Sequence, residues 1–159
     1  MLFATISATL LLSGAVGTLG GPCELATRTE VLSLLGSAPV AVPPDQIGEE
    51  TAPYCLWSSE GRRVEAKVTV WSANELPVLN LSDAESYFSK LREEYPTETV
   101  RYVEGLGERA FEAEFVASAA MRASGTLVVL KTGRVAVFEF VNIVPAEAQV
   151  FAANVTSRL

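Results

Sequence analysis

From Arg63 to Trp71 the chain alternates, with Val64, Ala66, Val68 and Val70 falling on one side and Arg63, Glu65, Lys67 and Thr69 on the other. A period of two marks a strand with one face on a core and the other toward water, and it predicts an antiparallel strand near a sheet edge. Tyr54 to Ser58 reads as its partner, joined to it through the turn Ser59-Glu60-Gly61-Arg62. Further on, Thr99 to Val103 and Ala110 to Val116 are strands on either side of Glu104-Gly105-Leu106-Gly107-Glu108. Thr126 to Lys131 and Arg134 to Val141 make a hairpin across Thr132-Gly133, and their nearly uniform apolar character predicts central strands covered on both faces.

Helical spacing appears three times. Thr27 and Glu30 have the spacing of a capping box ahead of Val31, Leu34 and Leu35, and Gly36 ends the run. Ser82 and Glu85 repeat that spacing before Ala84, Tyr87, Phe88, Leu91 and Tyr95, with Pro96 as the stop. Pro145 opens a last segment in which Phe151, Val155 and Leu159 recur every fourth position. Ser37 to Pro53 holds four prolines and is expected to be an irregular surface connection. The order helix, two strands, helix, four strands, helix predicts an α+β domain with a mostly antiparallel sheet of about six strands packed by helices.

Composition narrows the chemistry. The 159 residues include no histidine, which removes the usual general base at neutral pH and the commonest nitrogen ligand for transition metals. A balance of 12 basic against 19 acidic side chains, net −7, argues against a nucleic-acid partner. The first 23 residues carry no charged side chain, and Leu2 to Leu12 is an apolar run too short for a comfortable membrane span. Ala15-Val16-Gly17 supplies small residues for processing, so residues 1–17 are expected to be an export signal and 18–159 the single mature domain.

In an oxidising compartment Cys23 and Cys55 most simply form one disulfide, closing a loop of about 33 residues and contributing roughly 3.5 to 4 kcal/mol. The alternative is a reactive thiol, but there is no histidine and no nearby basic cluster to lower its pKa.

Three local signatures together carry a resemblance: Pro22-Cys23-Glu24-Leu25 leading to Leu35-Gly36, Cys55-Leu56-Trp57, and Gly105-Leu106-Gly107-Glu108-Arg109-Ala110-Phe111 followed by the apolar hairpin. They resemble small exported bacterial envelope domains of the actinobacterial type, many of them lipoproteins of unknown function. That resemblance implies a PsbP-like α/β/α sandwich and a Cys23–Cys55 bridge, and it supplies no active-site residue. Gly20-Gly21-Pro22 before Cys23 departs from a lipobox, which counts against a lipid anchor.

No catalytic, cofactor-binding or metal-binding residue is assigned. Glu112 and Glu114, two apart on a strand, are expected to share a face about 7 Å apart and are the best carboxylate pair for acid and base work, such as glycan hydrolysis. Gly105-Leu106-Gly107 is a turn, since no Lys-Ser/Thr follows it. Trp57 and Trp71 are the candidate ligand or partner contacts, since indole faces stack on sugars and apolar compounds, and Trp57, two after Cys55 on the same strand face, is expected to pack over the disulfide. Trp71 ends its strand ahead of a polar loop and is the better of the two candidates for an exposed ligand or partner anchor. Lys131 and Arg134 flank the hairpin turn, where they could meet an acidic partner. The reading favoured is a non-enzymatic exported domain that binds an envelope protein or small ligand through the Pro-rich connection and the strand end at Trp71. A carboxylate-dependent envelope enzyme and a structural accessory subunit are the alternatives.

Overall fold

The computed structural model describes residues 21–41, 53–115 and 121–159. The expected export signal, most of the Pro-rich connection and Val116 lie outside the described residues. Three helices, α1 (Arg28–Leu35), α2 (Ala84–Glu94) and α3 (Pro145–Thr156), pack on one sheet. Its strands are β1 (Val40–Ala41), β2 (Tyr54–Ser58), β3 (Glu65–Trp71), β4 (Val100–Tyr102), β5 (Arg109–Ala113), β6 (Ala123–Lys131) and β7 (Arg134–Ile143). They lie in the order β1-β2-β3-β7-β6-β5-β4, with every neighbouring pair antiparallel. The α+β class and the succession of elements agree with the sequence pattern. The added strand is β1, two residues long, which pairs Val40 with Ser58.

Two corrections concern placement. β3 is not near an edge: it is third of seven, paired with β2 on one side and β7 on the other. Its alternation arises because α2 packs on β6 and β7, so positions such as Lys67 meet cross-strand charge in place of a helix. Lys67 Nζ lies 3.0 Å from Glu139 of β7. The cap of α2 is also displaced by one residue: Asp83, not Ser82, accepts the Ser86 N–H at 2.7 Å. That N–H is the largest of several hydrogen bonds holding the Asp83 carboxyl below its ordinary pKa. The cap of α1 is as the spacing predicts. Thr27 Oγ1 accepts from Glu30 N, Glu30 Oε2 accepts from Thr27 N, and Gly36 closes the helix at φ +70°.

The apolar hairpin sits at the centre of the sheet because both of its faces are buried. Leu127 and Val129 of β6, with Ala136, Phe138 and Phe140 of β7, point to the layer of α1 and α3, where Phe151, Leu34 and Val155 complete one core. Val128, Leu130 and Val135 point the opposite way, to α2, where Phe88 meets Phe111 edge to face at 5.2 Å. The molecule is therefore a three-layer sandwich with a hydrophobic core on each side of the sheet. The β4–β5 connection is a turn, as expected, and it is tucked against β6. A Cβ on Gly107, whose φ is +62°, would lie 2.6 Å from the Leu130 carbonyl oxygen.

Candidate functional site

The sequence placed its strongest contact candidate at Trp71, the last residue of β3. It is not an exposed anchor: only 9% of its surface meets solvent, because the register sets it beside Val135 and the first turn of α2 brings Tyr87 against it at 5.3 Å. An indole at a strand end stays exposed only when no neighbouring layer reaches it, and here α2 does. Trp71 nevertheless lines a shallow groove of about 220 Å³ with Thr69, Tyr87, Tyr95, Val137, Lys67 and Glu139. Tyr95, the C-cap of α2, is half-buried and leans on Phe111 at 6.2 Å. One end of the groove is aromatic. The Lys67–Glu139 ion pair forms the other, with Lys67 Nζ also 5.4 Å from the centre of the Tyr54 ring.

Cys23 and Cys55 are bonded, their Cα atoms 5.0 Å apart. The bridge joins the 3₁₀ turn Pro22–Leu25 to β2, closing the stretch that contains α1 and β1. Trp57 shares a strand face with Cys55, and its ring meets Phe151 of α3 at 5.6 Å in an edge-on contact. Trp57 thus serves the packing of α3 on the sheet.

The carboxylate pair is not brought together as expected. β5 ends at Ala113, and Glu114 has a left-handed backbone, φ +66°, which breaks the alternation that would have set Glu112 and Glu114 on one face. Glu114 is exposed. Glu112 is only 6% exposed and is satisfied by two neighbours: Arg101 Nε lies 3.0 Å from Oε1, and Gln149 Nε2 donates to Oε2 at 2.9 Å. Such a carboxylate is held as an acceptor between β4 and α3.

Lys131 and Arg134 also have internal work. Lys131 Nζ donates to the Thr156 carbonyl at 2.5 Å and Arg134 Nη1 to the Leu159 carbonyl at 3.2 Å, so both cations serve carbonyls at and just beyond the end of α3. The hairpin turn projects them there because β6 and β7 run beside that helix end.

A second groove, of about 320 Å³, runs between α1 and α3 and was not foreseen. Leu34 and Phe151 are buried in it, and Val150 stands 63% exposed beside them. Glu30 borders it. The Arg158 guanidinium binds that carboxylate with both of its outer nitrogens, at 2.7 and 3.0 Å, and holds its pKa down at about 2. The available signal was the composition of α3, whose only acidic or basic residue is Glu147.

What these observations define is a disulfide-bridged α+β sandwich domain with, among the described residues, a shallow groove on each side of the sheet. No protein-family model, curated protein or solved structure matches the chain. Among the described residues no helix is long and apolar enough to cross a membrane.

Proposed function

We propose that this chain is an exported, non-enzymatic binding domain of the cell envelope, and that the Trp71 groove is its contact site. The observation that carries the reading is one groove in which half-buried Tyr95 and the solvent edges of the otherwise buried Trp71 and Tyr87 meet the Lys67–Glu139 pair. Rigid aromatic edges supply contact at low entropic cost, and a charge pair at one end gives a ligand a direction. Export is supported by the uncharged apolar start of the chain and by the Cys23–Cys55 bridge, which is compatible with an oxidising compartment. The groove is smaller than the roughly 300 to 1,000 Å³ of pockets that enclose drug-sized ligands. It suits a short segment of a larger partner, such as one side chain of a peptide or one ring of a glycan.

The test uses the chain's two tryptophans. Trp57→Phe leaves Trp71 as the sole indole, so its emission reports the groove. Titration with soluble glycan fragments, peptides and detergent-solubilised proteins of the envelope is expected to give a saturable change in emission with at least one of them. That change is expected to disappear when Tyr95→Ala is added. The absence of any saturable change across the three classes overturns the assignment of the groove.

A further inference from the structure

The outer faces of α2 and α3 differ in a way their positions do not explain. Both helices lie on the sheet and both have one side toward solvent. The solvent side of α2 carries Glu85, Lys90, Glu93 and Glu94, as a surface helix should. That of α3 is Ala146, Val150 and Ala153, flanked by half-buried Gln149 and Asn154, with Glu147 as its single charge. Beside this face lies the 320 Å³ groove, with Leu34 and Phe151 in its floor and Ser33, Glu30 and Asn154 along its border. A weakly polar helix face next to a groove with an apolar floor and a polar border is a surface that receives a third, amphipathic helix, whose side chains at i, i+3 or i+4, and i+7 enter the groove.

Charge narrows the occupant. Glu30 on the groove's border is already neutralised by Arg158, whereas Glu147 makes no ion pair among the described residues. The chain as a whole carries −7. An anionic lipid surface is repelled by that field, and so is a second copy of the chain. We propose that the α1–α3 groove docks one short amphipathic helix of a different protein, with apolar anchors toward Phe151 and Val150 and a Lys or Arg opposite Glu147. This surface lies on the other side of the sheet from the Trp71 groove and stands whether or not that site binds anything.

The probe is a display library of 14-residue amphipathic helices. Their anchors vary among Leu, Ile, Met and Phe, and their flanking positions among Lys, Arg, Glu, Asp and Ser. Selection on the purified full-length chain is expected to enrich Lys and Arg at the flanks. The enriched peptides, measured by fluorescence anisotropy, are expected to bind about tenfold more weakly to Val150→Glu. On Glu147→Lys, selection is expected to turn toward Glu and Asp, a reversal that misfolding cannot produce, and Tyr95→Ala is expected to leave binding unchanged. Three results would each overturn the proposal: no enrichment, enrichment indifferent to Glu147→Lys, or retention of full affinity in Val150→Glu. Sedimentation showing a dimer that Val150→Glu dissolves would overturn it in favour of a second copy, and loss of anionic-vesicle binding in Val150→Glu would do so in favour of a lipid surface.

Discussion

Glu30 joins three parts of the chain through one carboxylate: its Oε2 accepts from Thr27 N at the start of α1, and both oxygens accept from Arg158, just beyond α3. Arg158 also donates to the Leu25 carbonyl at 2.7 Å, so the clasp holds the 3₁₀ turn as well. Because the folded pKa of Glu30 is about 2 and the ordinary value is 4.5, the unfolded chain binds more protons between those values. The clasp therefore stabilises fully above about pH 5 and fades as pH falls through 2. Denaturant melts from pH 6 to 2 are expected to show a shallower loss of stability in Glu30→Gln than in the wild type, and equal slopes would contradict the assignment. At Glu112 the expectation is structural. Glu112→Ala leaves the Gln149 amide without its acceptor and Arg101 with the Phe115 carbonyl alone, and is expected to cost about 1 to 3 kcal/mol in urea denaturation.

Elements are positioned by a few long connections. The disulfide closes a loop of 32 positions holding α1 and β1, and the chain-entropy relation assigns such a loop roughly 3.5 to 4 kcal/mol. Replacing both cysteines by serine is expected to lower unfolding free energy by about 2 to 4 kcal/mol, read by urea melts in comparison with the oxidised chain. Full stability in the double variant would show that the helix–strand contacts alone hold this region. At the far end of α3, Lys131 and Arg134 do for the last carbonyls what a C-terminal glycine motif does elsewhere. The effect is distributed over two cations, which is why neither is marked by a local motif.

On the scale of the molecule, one sheet divides two cores. Phe138 belongs to the core under α1 and α3 and Phe111 to the core under α2; both are fully buried. Either one changed to alanine is expected to cost about 3 to 5 kcal/mol. Since β6 sends Leu127 and Val129 to one core and Val128 and Leu130 to the other, the two cores share a strand. Calorimetry of each variant is expected to show a single transition, shifted down, and two resolved transitions would show that the layers melt separately.

What the amino-acid order determined by itself is the local grammar. The capping box at Thr27 and Glu30, Gly36 as a stop, Pro145 as an opening and the two-sided burial of the hairpin depend on neighbours within a few positions or on a continuous apolar run. The class of fold and the order of its elements followed from those signals. The tertiary structure alone decided which strands are adjacent, and adjacency is a choice among chain closures that periodicity does not encode. It therefore decided that β3 lies inside the sheet, that α2 covers Trp71, and that a left-handed Glu114 ends β5 and separates two carboxylates. It also brought Gln149 to Glu112 across 37 positions and Arg158 to Glu30 across 128. Both grooves belong to this second kind, since each is made by a helix meeting elements distant in the chain, and a concave surface exists only once those elements are packed.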